Sequence, residues 1–170
     1  MWTMLEGFQH LSSEEIDTLV AAPVNITALI GGADGEIDRE ERNWSERLMR
    51  ARTYSQPHLI QEYYRVASED FLAKLDKAMA ALPGEVEPRS VILTQRIEAL
   101  NPILAKLDAE LASTLYKSFL VLAKETAKAS GGFLRIGAVS AVEYQWVDLP
   151  MLEPIQYESG EEIENDEKED

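Results

Sequence analysis

Cysteine is absent from all 170 residues. Neither a disulfide framework nor a thiolate zinc site can therefore be built from this chain. Histidine is scarce: His10 and His58 are the only two. They stand far apart, without a carboxylate or second histidine at ligand spacing, so both are expected in surface or packing roles. Long apolar runs are missing too. The stretch Phe119-Leu120-Val121-Leu122 is bounded by Lys117 and Lys124, far short of the roughly 20 residues that cross a bilayer, so no direct membrane insertion is expected. The start, Met-Trp-Thr-Met-Leu-Glu-Gly-Phe, lacks the charged and then apolar pattern of a secretory signal, and a cytoplasmic address is expected. Neither Gly31-Gly32 nor Gly131-Gly132 leads into Gly-Lys-Ser/Thr, so no phosphate-cradling loop is expected.

Positive charge is also in short supply, with a net charge of −15. Glu153 to Asp170 holds nine acidic residues and one lysine, leaving 22 acidic and 15 basic residues upstream. The tail thus carries −8 and the body −7. Such a surface repels phosphate backbones and anionic lipid headgroups, which argues against nucleic acid and favours a basic protein partner. The tail, 153–170, reads as a disordered solubilising segment, with docking to a basic partner as the alternative.

What is present is a globular composition, 45% apolar, with apolar residues at helical rather than alternating spacing. One all-α domain of six to eight helices over 12–152 is expected, preceded by a short extension, 1–11. Ser12 and Glu15 form a capping box ahead of Ile16, Leu19 and Val20. Pro23 breaks or restarts that helix. The segment from Val24 ends at Gly31-Gly32, suited to left-handed termination. Asp38 and Glu41 form a second capping box, and Trp44, Leu48 and Ala51 are expected on one face of the helix they open. Gln56 to Leu82 holds one bent helix or two shorter ones. Leu93, Ile97, Leu100, Leu104 and Leu107 form a continuous seam, with a kink expected at Asn101-Pro102. Leu111, Leu115, Phe119, Leu122 and Thr126 mark the expected central helix, and Ser140 with Glu143 repeats the capping pattern ahead of Trp146.

The two ends of the body share an order: helix, glycine-rich turn, cap, short helix with a tryptophan. This suggests a weak internal two-fold repeat. In the first copy, Ala33-Asp34-Gly35-Glu36-Ile37-Asp38 followed by Glu40-Glu41 resembles the Ala-Asp-Gly, Ile-Asp, Glu-Glu signature of the TerB-like (tellurite-resistance) helical domains. The resemblance covers about residues 12 to 150 by helix arrangement and about ten residues by motif. It implies a helical fold with a second similar turn, and a place in stress-response or membrane-linked complexes with suggested metal sensing. Here Ser130-Gly131-Gly132 replaces the second acidic turn and is followed by a long insert.

Set against a twelve-residue EF-hand loop, Asp34 falls at position 5, Gly35 at 6, Ile37 at 8, Asp38 at 9 and Glu41 at 12, while positions 1 and 3 are Ile30 and Gly32, which carry no carboxylate. The plain reading is a turn followed by a helix cap. The sharper one is a divalent-cation site drawing on Asp34, Glu36, Asp38 and Glu41. Adjacent carboxylates at Glu14-Glu15, Glu40-Glu41 and Glu69-Asp70 are expected in solvent. Trp44, Tyr63, Phe71, Phe119 and Trp146 are expected in the core, with Tyr63-Tyr64 and Trp146 as alternative interface residues. No enzyme is expected. The sequence leads to an interaction or scaffold domain, with a divalent-cation sensor as the alternative.

Overall fold

The computed structural model describes residues 6–130 and 145–158. Among them are eight helices and no strand: α1 Ser13–Val20, α2 Ala22–Gly31, α3 Arg39–Ser55, α4 His58–Ser68, α5 Phe71–Ala81, α6 Val86–Glu98, α7 Leu100–Leu104 and α8 Ala109–Ser130. No described helix is long and apolar enough to cross a membrane.

The centre of the bundle is α2, which lacks any charged residue and is buried at every position from Ala22 to Gly31. It packs against α5, α6 and α8. The all-round burial belongs to α2 rather than to α8, the expected central helix. One side of α8 still faces inward through Leu111, Leu115, Phe119, Leu122 and Thr126, while Lys117, Val121 and Lys124 face out. Pro23 sits at the start of α2, where its missing N–H leaves no intrahelical bond unmade.

Both described capping boxes form. Ser12 Oγ accepts from the Glu15 N–H and the Glu15 carboxylate from the Ser12 N–H, and Asp38 with Glu41 repeats the arrangement. Asp108 opens α8 by accepting from the Glu110 N–H at 3.0 Å. The seam from Leu93 to Leu107 is buried throughout but divided. The helix breaks at Ala99, because Pro102 cannot donate to the Glu98 carbonyl. Between Gln56 and Leu82 the chain forms two helices, parted at Asp70 with φ 51°.

Tyr63 organises the aromatic part of the core. Its ring meets Phe8 (centroids 6.3 Å), Tyr64 (5.1 Å, edge-on) and Phe119 (6.1 Å). Its hydroxyl donates to the Leu19 carbonyl at 2.7 Å. Tyr63 and Tyr64 are thus core residues and not part of an exposed interface. Phe8 and Leu11 from before α1, and Leu149 and Leu152 from after α8, close the core. Asn101 fastens the latter segment, donating to the Met151 carbonyl and accepting from the Glu153 N–H, both at 2.9 Å.

Helix α3 departs from expectation. Its buried residues are Ser45, Met49 and Arg52, one position on from the expected Trp44, Leu48 and Ala51. One residue is about 100° of rotation on a helix, so Trp44 and Ala51 face out and Leu48 is half-buried. Gly32 also differs: it ends α2 at φ −93°, and the left-handed residue of the turn is Gly35 at φ 137°. The second copy of the proposed repeat begins in the last turn of α8, at 127–130, whereas its Gly131-Gly132 turn, its Ser140–Glu143 cap and the acidic tail beyond Glu158 lie outside the described residues.

Candidate functional site

The acidic turn that carries the family resemblance runs from the end of α2 into α3. Ala33 is buried beneath it, and Ile37 is packed on the core edge, so the apolar positions of the motif anchor the turn. Asp34, Glu36 and Asp38 point into solvent, and Glu41 is half-buried. Asp38 accepts from the Glu41 N–H at 2.8 Å, and Glu41 accepts from the Asp38 N–H at 2.8 Å. Both carboxylates thus serve the start of α3.

The concave side of the turn faces a cation belonging to the protein. Arg89 of α6 is only 4% exposed. Its Nη2 donates to the Gly32 carbonyl at 2.6 Å and the Gly35 carbonyl at 2.5 Å, and its Nη1 to the Gly84 carbonyl at 3.3 Å. Gly32 is required here. A Cβ would lie 2.7 Å from the Ala28 carbonyl oxygen and 3.2 Å from Arg89 Nη2. Backbone oxygens that could help surround a hard cation are thus bonded to a guanidinium. Among the described residues no three or more His, Asp or Glu side chains come close enough together to hold a metal ion. The four acidic residues Asp34, Glu36, Asp38 and Glu41 are therefore not gathered into such a group.

A second buried arginine marks a different place. Arg52, near the end of α3, is 3% exposed and has no acidic partner among the described residues. Its Nη2 donates to the Ser118 carbonyl at 2.6 Å and to Ser118 Oγ at 2.7 Å. Its guanidinium carbon lies 5.0 Å from the centroid of the Tyr64 ring, at cation–π distance. Ser118 Oγ also meets the Tyr64 hydroxyl and donates to Gln56 Oε1 at 3.2 Å. With its one hydrogen given to Gln56, the serine accepts from both Arg52 and Tyr64, which completes its bonding. Burial pushes the Tyr63 hydroxyl well above its ordinary pKa. Burial raises Tyr64 as well, opposed by Arg52 and the Ser118 hydrogen bond.

A groove of about 310 Å³ opens over this network, lined by Arg52, Gln56, Pro57, Thr114, Lys117, Ser118 and Val121. It sits where the α3–α4 turn meets α8. On the outer side of α3, Trp44, Arg47, Ala51 and Tyr54 are exposed in steps of three, four and three residues, one continuous face, with Trp44 at 43% and Tyr54 at 80% exposure.

The remaining candidates take the expected places. His10 and His58 are exposed, as are Glu14, Glu40, Glu69 and Asp70, while Glu15 and Glu41 are half-buried in their caps. Trp146 is half-buried beside Val86 and Val91. The sequence reading missed Arg52 and Arg89, although Arg89 shares the four-residue spacing of Leu93 and Ile97, and Arg52 the three- and four-residue spacing of Met49 and Ser45. No family model matches the chain, nor does any curated protein or any solved structure.

Proposed function

We propose that this protein is a non-enzymatic interaction domain whose docking surface is the outer face of α3. The observation that carries this is the exposed row Trp44, Arg47, Ala51 and Tyr54. Tryptophan, tyrosine and arginine are the residue types that dominate binding energy at protein interfaces. Ten residues separate Trp44 from Tyr54, which on a helix is about 15 Å, enough to seat a short helical or extended segment. Arg47 is the charged member of this row, so the fitting partner segment is apolar with an acidic residue placed to meet it. The basic partner expected from whole-chain charge would answer to the acidic tail instead. The likeness of Ala33–Glu41 to the TerB-like signature supports the same reading, because those domains are associated with multi-protein stress-response complexes.

The test is a pull-down from the native host, with and without chelator, using the full chain and the Trp44→Ala/Tyr54→Ala variant. A partner retained by the full chain and lost by the variant, at unchanged melting temperature and with chelator present, is expected. Equal retention by both would remove α3 as the docking face. Calorimetric titration with calcium addresses the cation sensor: a flat trace is expected, whereas a calcium-dependent stabilisation abolished by Asp34→Ala would restore the sensor reading.

A further inference from the structure

The outward face of α8 is opposite in charge to the rest of this acidic protein. Lys117, Val121 and Lys124 are exposed on it at steps of four and three residues, so they form one row. From Leu111 to Lys124 the helix carries no acidic residue. Several basic side chains elsewhere lie against carboxylates: Arg42 on Asp76, Arg50 on Glu46, Arg65 on Glu62 and Glu69, and Lys106 on Glu15. Lys117 and Lys124 have no such partner among the described residues. On α3 and α5 the remaining cations stand among acids, since Arg47 follows Glu46, and Lys74 and Lys77 flank Asp76. Val121, between the two lysines, is 47% exposed. It shares the groove of about 310 Å³ with Pro57 of the α3–α4 turn, which leaves an apolar recess beside the row.

We propose that this face of α8 is the docking site of the chain's own acidic end, 161–170, with Ile163 in the recess between Val121 and Pro57 and glutamates on Lys117 and Lys124. Past Glu158 every charged residue except Lys168 is acidic, and Ile163 is the one large apolar side chain. The two patterns agree in charge and in length. Lys117 and Lys124 are seven residues apart on a helix, about 10 Å. Glu161 and Glu164 bracket Ile163 and are three residues apart, which in an extended chain is also about 10 Å. The reach is sufficient. Asn101 of α7 holds the Glu153 N–H at 2.9 Å, and α8 opens five residues after α7 ends. From Glu153 the eight residues to Glu161 extend to about 26 Å, whereas Lys117 stands about 12 Å along α8 from its start. An exposed ion pair is weak alone, but a tethered segment meets its site at an effective concentration on the order of millimolar, so a weak contact keeps the face occupied. The docked tail competes with any acidic ligand for α8, and a basic partner that captures the tail uncovers the face. This inference is independent of the α3 docking face, with which it shares no residue.

The absence of cysteine makes the test direct. Asn165→Cys in the full chain supplies a single, charge-neutral attachment point for a nitroxide, and broadening of backbone amide signals, relative to the reduced label, reports which surface the tail visits. Broadening concentrated from Thr114 to Lys124 and at His58 and Leu59 is expected. It should fade in about 1 M sodium chloride, where the screening length falls to about 3 Å. Glu161→Gln/Glu162→Gln/Glu164→Gln, which touches no residue of the folded body, should remove it. Lys117→Glu/Lys124→Glu, at exposed positions, should do the same, each lost ion pair lowering the docking equilibrium by about two- to fivefold. Broadening spread evenly over the surface, broadening concentrated on α3 or α5, persistence in salt or in the glutamine variant, or loss on dilution with unlabelled chain, which marks contact between copies, would each overturn the proposal.

Discussion

Arg89 shows how one side chain can decide what a motif is able to do. Through Nη2 it holds the Gly32 and Gly35 carbonyls, and through Nη1 that of Gly84. Replacing it with methionine keeps much of the length and removes every donor. The Arg89→Met protein is expected to lose roughly 2–4 kcal/mol, because an acceptor left buried without a partner costs about 1–3 kcal/mol. Urea denaturation measures this, and a loss under about 0.5 kcal/mol, the size of an ordinary surface change, would show that water takes over the carbonyls. The caps at Asp38 and Glu41 were legible because their pattern is local and needs only three residues of spacing. Arg89 and Arg52 were not, because an arginine in a helix reads as a solvated residue unless its distant partners are known. Those partners are 54 to 66 residues away.

Helix α3 carries the same lesson at the scale of an element. Trp44, Leu48 and Ala51 match a helical stripe as well as Ser45, Met49 and Arg52 do, and hydrophobicity alone selects the first set. The structure selects the second, where the Ser45 hydroxyl donates to the Glu41 carbonyl and Arg52 Nη2 donates to Ser118 inside the bundle. Tyr54 and Trp44 are left outside. The two faces should separate energetically. Met49→Ala is expected to destabilise by about 2–5 kcal/mol, as for other buried methionines, and Tyr54→Ala by less than about 0.5 kcal/mol. Thermal or chemical denaturation of the two variants checks this, and comparable losses would mean that Tyr54 packs against the body. The sequence reading began α2 at Val24 and gave the central place to α8, although a run from Ala22 to Gly31 with no charge is buried whichever way it rotates. A kink in the seam of α6 and α7 was legible from Pro102, which removes one backbone donor, but its division into two helices at Ala99 was not.

For the whole molecule, pH reaches the fold from two directions. Tyr63 and Tyr64 have pKa values raised above the ordinary 10.0, chiefly by burial. The stability this represents is fully present below pH 10 and is lost as pH rises through the folded values. Glu15 and Glu62 are shifted downward from 4.5, by hydrogen bonds from Lys106 and Arg65 respectively. Their contribution is present above that value and fades as pH falls through the lowered ones. Glu62 is exposed and Glu15 only half-buried, so the acid limb should be shallow and the alkaline limb steep. Tyrosinate absorbance followed together with circular dichroism checks this, with two tyrosines ionising only as the helical signal collapses. Ionisation of all tyrosines before any loss of helix would contradict it. At this scale Arg89 has a further consequence. Its guanidinium is part of the chain itself, so the clasp joining the α2–α3 and α5–α6 turns comes with the fold. It needs no dissolved ion to close and has no occupancy to vary, and two stretches of chain some fifty residues apart are held as one rigid hinge plate.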